Sequence, residues 1–263
     1  MPTVYTFANQ KGGVGKTTTC INVGASLAAA DKRVLLVDMD PQGNLTSGVG
    51  QREEAGHGET VYHGLTASGP AHPLRILDCT FDGLKLVPAD RHLTGAEIEL
   101  VSMNRREFRL KSLLEPLRPN FDYILIDSPP SLGLLTLNAL VAADTVLIPL
   151  NCEYFALEGL ADLVATLRRV RASFNPDLGI EGVLMTMYDE RTNLGQQVAR
   201  DIRSFFKERV FQTVIPRNIR LGEAPSHGLP VILYDVKSRG AAAYVALARE
   251  LLARGQPAAS SLV

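Results

Sequence analysis

Near its start the chain carries Asn9-Gln10-Lys11-Gly12-Gly13-Val14-Gly15-Lys16-Thr17-Thr18-Thr19, three glycines, two lysines and a row of hydroxyls in eleven residues. Such a run can bind phosphates. Lacking Cβ atoms, Gly12, Gly13 and Gly15 can adopt left-handed conformations and bring backbone N–H groups close to an oxyanion. Lys16 then has the reach for β- and γ-phosphates, and the Thr17 hydroxyl can bind Mg²⁺. Two further stretches bring carboxylates to such a site. Asp38-Met39-Asp40-Pro41-Gln42 and Asp127-Ser128-Pro129-Pro130 each follow a short apolar run. A carboxylate ending such a run can hold Mg²⁺ directly or through water, and the Pro-Pro pair stiffens the loop that leaves it.

The elements needed to position these groups are legible in the same rows. Thr3 to Ala8 is rich in β-branched and aromatic residues and predicts a strand; the glycine loop follows, and a helix is expected from about Thr17 to Ala30. Phosphates would therefore meet a helix N-terminus. Val34–Asp38, Leu84–Pro88, Phe121–Asp127, Asp144–Leu150, Ile180–Met187 and Val210–Ile215 read as further buried strands. Helices are expected from Gly95 to about Leu117 on the spacing of Ile98, Val101, Phe108 and Leu114, and then to about Ser173, to about Lys207 and over Arg239–Arg254. Residues 44–73 read as an irregular excursion with one short helix, and 216–228 as a long loop. Alternating strands and helices predict an α/β fold of three layers, a mostly parallel sheet flanked by helices, with the loaded loops at the strands' C-terminal edge.

Composition sets outer bounds. The 263 residues are 46% apolar, enough for one domain over residues 1–254 with a short flexible tail at 255–263. The net charge of −1 announces neither nucleic acid nor an anionic surface, so such a partner would need a local patch. One candidate is the Glu190–Arg254 segment, where 11 Lys/Arg less 6 Asp/Glu leave +5. Cys20, Cys79 and Cys152 lack C-x-x-C spacing and fit a reducing cytoplasm; His57, His63 and His72 are spaced as solvated loop residues. No charged-then-apolar leader and no run of 18 apolar residues is present, and no Asn-Lys-x-Asp guanine-reading box occurs.

The loop departs from G-x-x-x-x-G-K-[ST], because Gln10 replaces the first glycine and Lys11 follows it. A second lysine has an economical use in reaching a nucleotide held by another subunit. The run Lys11-Gly12-Gly13-Val14-Gly15-Lys16-Thr17-Thr18 resembles the deviant Walker A box of the ParA/MinD family of ATPases. Residues 34–42, the Walker B-like strand at 123–130, Asn151–Leu160 and Pro216–Gly228 resemble its ParA/Soj branch. The resemblance implies a deviant P-loop NTPase fold in which ATP and Mg²⁺ are held by residues 11–18, with Thr17 and Asp127 as metal ligands. Asp40 would orient the attacking water, with Asp38 in support near the metal or the loop. The segment containing Pro216 and Asn218 would help enclose the adenine. Lys11 would reach across an ATP-dependent homodimer, and Arg191 and Arg220 would contact double-stranded DNA without sequence preference. A ParB-type centromere-binding partner would stimulate hydrolysis, so that a cytoplasmic, nucleoid-associated protein segregates a chromosome or plasmid. Because Met1 nearly abuts the first strand, no N-terminal helix-turn-helix domain is expected. Three alternatives share the cradle: a MinD-like membrane-associated spatial regulator, an iron–sulfur carrier and a metabolic P-loop ATP-dependent ligase. The apolar-poor tail argues against a membrane anchor, and the cysteine spacing against a cluster.

Overall fold

The computed structural model describes residues 2–67, 73–153 and 156–255. The proposed flexible tail, apart from Gly255, and His72 lie outside the described residues. Seven strands, β1 (Thr3–Phe7), β2 (Val34–Asp38), β3 (Leu77–Asp78), β4 (Leu84–Val87), β5 (Tyr123–Asp127), β6 (Thr145–Asn151) and β7 (Gly179–Thr186), form one sheet in the order β3-β4-β2-β5-β1-β6-β7. Every pairing is parallel except β3 with β4. The register sets Asp38 beside Asp127 at the ends of neighbouring β2 and β5, and Phe7 beside Asp127 on the other flank. Parallel strands all present their C-terminal ends to one edge, so the strands that precede the loaded loops converge there.

Helices follow as α1 (Lys16–Ala28), α2 (Asn44–Gly48), α3 (Arg52–Gly56), α4 (Val61–Thr66), α5 (Leu93–Glu99), α6 (Arg109–Leu114), α7 (Leu134–Ala142), α8 (Ala156–Ser173), α9 (Asn193–Phe206), α10 (Arg220–Glu223), α11 (Val231–Tyr234) and α12 (Arg239–Arg254). Side chains alternate across each strand. Val34 and Leu36 of β2 pack with Leu125, Leu147, α1 and α12 on one face, while Leu35 and Val37 pack with Ile124, Ile126, Val146 and α5 to α9 on the other. These two apolar layers make the sheet the middle of three. At the α1 contact a Cβ on Gly24 would lie 2.8 Å from Leu36 Cδ2, so this glycine is what lets helix and sheet approach.

Four expectations change. The helix expected over 95–117 is broken into α5, α6 and 3-10 turns at Leu100–Ser102, Arg106–Phe108 and Glu115–Asn120. Arg105 adopts φ +52, which interrupts helical hydrogen bonding, and prolines 116 and 119 lack the N–H that would continue it. Ile98 and Val101 are consequently 77% and 59% exposed rather than on a buried stripe. Val210–Ile215 is not a strand. Phe211 N and Ile215 N do donate to Val183 O and Met185 O of β7, but the amides of Gln212 and Thr213 between them donate to the Glu250 carboxylate of α12, each at 2.9 Å. Four residues therefore advance against two on β7, and the ladder is lost. The 44–73 excursion holds three short helices rather than one, and 216–228 contains α10 followed by a 3-10 turn at Ala224–His227. Within the excursion His63 Nδ1 accepts from Thr60 N and helps cap α4.

Candidate nucleotide and metal site

The loop between β1 and α1 is fixed from three sides. Asn9 Nδ2 donates to Pro149 O of β6 at 2.8 Å, Asn9 Oδ1 accepts from Lys11 N at 3.0 Å, and Thr186 Oγ1 at the end of β7 donates to Val14 O at 2.8 Å. No local motif marks Thr186, whose role arises only where β7 ends beside the loop. Gly13 and Gly15 take φ +72 and +85; Gly12 does not enter the left-handed region. A Cβ on Gly12 or Gly13 would meet no atom within 4 Å, so the space over them is open for an anion to approach the backbone. The N-terminus of α1 carries no side-chain cap and no acidic residue in its first turn, which leaves its partial positive charge uncompensated. Thr18, in this first turn, accepts from Asn22 Nδ2 through its carbonyl.

Lys16 is buried, and its Nζ donates to Lys11 O at 3.4 Å. Desolvation holds its pKa below the ordinary lysine value, while Asp127 and Asp40 pull it up. Thr17 Oγ1 donates to Asp127 Oδ2 at 2.6 Å. Asp127 is fully buried, and its Oδ1 has no hydrogen-bond partner. Burial, then Asp38, pushes its pKa well above the usual carboxylate range. A buried carboxylate oxygen without a donor next to a hydroxyl is a hard oxygen pair that suits Mg²⁺.

Asp38 is placed differently. Its Oδ1 accepts from Asp40 N at 3.1 Å, and its Oδ2 accepts from Thr46 N at 2.9 Å and Thr46 Oγ1 at 2.7 Å. Burial raises its pKa to about 6 against these hydrogen bonds. With both oxygens occupied, the arrangement supports its loop role over a metal role. Asp40, also buried, accepts from Gln42 N at 2.9 Å, so Asp38 anchors the turn that holds Asp40 near the Lys16 side chain.

Tyr188, just past β7, forms an isolated bridge with Pro216, and Arg217 N donates to Tyr188 O, which brings the 216–220 loop against the β7 exit. Asn218 Oδ1 accepts from Arg220 N at 2.9 Å. Arg191 pairs with Asp189 at 2.7 and 2.8 Å, and Arg220 pairs with Glu223 and Asp235, so each expected DNA-facing arginine is exposed but compensated within the chain. Arg191, Arg217 and Arg239 line a cavity of about 720 Å³ with Tyr188 and Pro216; the latter two arginines became visible as neighbours only in three dimensions. Lys11 Nζ contacts Glu153 Oε2 at 2.5 Å.

A parallel three-layer α/β sheet, a glycine loop running into an uncapped helix, and the Thr17–Asp127 pair together define a P-loop nucleotide-binding protein. A family model described as an AAA domain matches residues 2–180. Similar proteins include the chromosome partitioning protein ParA of Myxococcus xanthus, 54% identical over 97% of this chain and 89% of that protein, and the sporulation initiation inhibitor protein Soj of Bacillus subtilis, 55% identical over 97% of this chain and 100% of that protein. A solved structure of cobyrinic acid a,c-diamide synthase from Mycobacterium smegmatis with bound ATP analog and magnesium superposes with TM-score 0.82, at 39% identity over 96% of this chain and 95% of that one. The chain belongs to the ParA/Soj family of P-loop ATPases.

Proposed function

We propose that this protein is a partitioning ATPase whose Mg-ATP-dependent homodimer binds double-stranded DNA without sequence preference and is released from it by partner-stimulated hydrolysis. The observation that carries the site is the orphaned, buried Asp127 Oδ1 beside the Thr17 hydroxyl, under a glycine loop open to an anion. In this reading the amides of residues 12–18 and the Lys16 ammonium bind the phosphates. Thr17 and Asp127 would hold Mg²⁺, which would supply charge neutralisation for the phosphates. Asp40, fixed by its turn, accepts a hydrogen bond from the attacking water and orients it. Pro216 and Asn218 border the base. Lys11 reaches the phosphates of the partner subunit, and Arg191 and Arg220 exchange their carboxylate partners for DNA phosphates. The protein works in the cytoplasm, on the nucleoid; among the described residues no helix is long and apolar enough to cross a membrane.

Sizing the protein with Mg²⁺ and ADP or ATP, with and without non-specific duplex DNA, tests this directly. Lys16→Ala should abolish nucleotide binding, Lys11→Ala should keep ATP but stay monomeric, and Asp40→Ala should accumulate an ATP-bound dimer. Normal dimerisation of Lys11→Ala would remove the cross-subunit role. The likeness to a diamide synthase supports one second reading, a metabolic ligase; ATP turnover indifferent to DNA and raised by a small carboxylic acid would favour it.

A further inference from the structure

For Lys11 to serve a partner's phosphates it must leave the position it holds in the isolated chain, where its ammonium lies 2.5 Å from Glu153 Oε2. We propose that Glu153 is a positioning residue that keeps Lys11 on its own subunit until a second, nucleotide-loaded copy draws it away. The inference rests on the cross-subunit role given to Lys11 above.

Both halves of the pair hang from fixed points on neighbouring strands. Glu153 lies two residues beyond the end of β6, in a turn closed by Glu153 N donating to Asn151 O at 2.9 Å, and the Asn151 side chain also bonds its carboxylate. The backbone of Lys11 is held by Asn9, which is itself tied to Pro149 of β6, and the Lys11 carbonyl receives Lys16 Nζ. Because β1 and β6 are paired in the sheet, the loop and the turn are anchored to the same two strands. Sliding the loop outward would break the Asn9 bonds to Pro149 and Lys11. The Lys11 side chain alone must rotate, and it does so only after leaving Glu153.

The pair is suited to opening. The two side chains are 38% and 55% exposed, so solvent screens their attraction, and a pair of this kind shifts an equilibrium only about 1.4- to 5-fold. A polyphosphate held in a closed interface offers Lys11 more charge and less water. Two such pairs open for each dimer formed. Removing them should tighten dimerisation roughly 2- to 30-fold. A Glu153 that instead bonded across the interface would give the opposite sign.

The experiment is sedimentation of full-length Glu153→Gln across a range of protein concentrations, with Mg²⁺ and a slowly hydrolysed ATP analogue. The dimer dissociation constant should fall by that factor while monomer affinity for the analogue is unchanged. The gain should shrink as NaCl approaches ~1 M, where the Debye length is ~3 Å. Turnover per subunit should rise at low protein concentration and match wild type at saturating concentration, a split that a merely structural residue would not produce. Glu153→Asp, which keeps the charge one methylene back, should fall between the two and guards against a folding artefact. Unchanged or weaker dimerisation of Glu153→Gln overturns the proposal. Lys11→Ala measured alongside separates the two failures. If it still dimerises, the cross-subunit reading is wrong; if it does not, and Glu153→Gln gains nothing, only the Glu153 restraint is wrong.

Discussion

Asp38 and Asp127 lie side by side at the ends of two paired strands, fully buried, and burial is the largest cause of both raised pKa values. Asp38 titrates near 6, against about 3.9 for an aspartate in an unfolded chain. The folded protein therefore binds more protons than the unfolded one between those values. By linkage its stability is greatest below about pH 4 from these groups and is lost as pH rises through the folded values. A divalent cation bound beside these carboxylates would offset their charge, so its stabilising effect should be larger near pH 7.5 than near pH 5. Thermal unfolding at the two pH values, with Mg²⁺ and nucleotide or with EDTA, checks this; equal shifts would contradict it. Thr186 offers a second residue-scale test. Its hydroxyl bond to Val14 O holds the loop, and a hydrogen bond of this kind contributes about 1 kcal/mol. Thr186→Val should lower stability by about 1 kcal/mol in chemical denaturation and, by loosening the loop, weaken nucleotide affinity in titration calorimetry.

Among the elements, the contact of α1 with the sheet depends on Gly24, where an added Cβ would approach side chains of Leu36, Leu84 and Leu125 within 3.4 Å. Those leucines are buried in a packed layer and have little room to move. Gly24→Val should overpack this seam and cost about 1–3 kcal/mol by chemical denaturation. It should also displace the loop that α1 carries, so nucleotide affinity should fall with stability. The α12 helix, packed on the same face of the sheet as α1, acts through Glu250, whose carboxylate receives two backbone amides and Arg254. Glu250→Ala would remove the acceptor for the Gln212 and Thr213 amides. A loss of about 1–2 kcal/mol is expected, less than for a buried site because water can reach Gln212.

At the scale of the whole molecule, the basic segment from Glu190 to Arg254 is not a free positive field, since Arg191 and Arg220 have carboxylate partners. On the proposed reading DNA would have to displace Asp189, Glu223 and Asp235, which a monomer with few phosphate contacts would do poorly and a dimer would do twice over. Binding should therefore require ATP and fall steeply with salt. Arg191→Glu combined with Arg220→Glu should lose gel shifts while sedimenting as a dimer; undiminished shifts, or equal affinity with ADP, would refute the assignment. No arginine lies in the phosphate loop, and a trans-acting arginine can be worth ~10³–10⁵ in rate in related phosphoryl transfer. Basal turnover should thus be slow and rise several-fold with a basic peptide from a ParB-type partner when DNA is present. Fast phosphate release without the peptide would count against that reading.

The glycine loop, the strands that deliver Asp38 and Asp127, and the parallel α/β architecture were legible along the chain, because these are local signals: glycine conformational freedom, apolar runs of strand length and a Lys-Thr pair opening a helix. The sequence also marked Lys11 as a departure from the template. Tertiary structure decided what each carboxylate is free to do. Asp38 and Asp127 look alike at the ends of apolar runs, yet Thr46 folds back from α2 to occupy one, and the other keeps an unpartnered oxygen beside Thr17. Only packing could reveal that Val210–Ile215 loses its ladder to Glu250, thirty-odd residues along the chain, or that Glu153 meets Lys11 across two neighbouring strands. Contacts so distant in sequence leave no periodicity to read; they arise when the sheet order brings strand ends together, and it is there that the site's remaining chemistry was set.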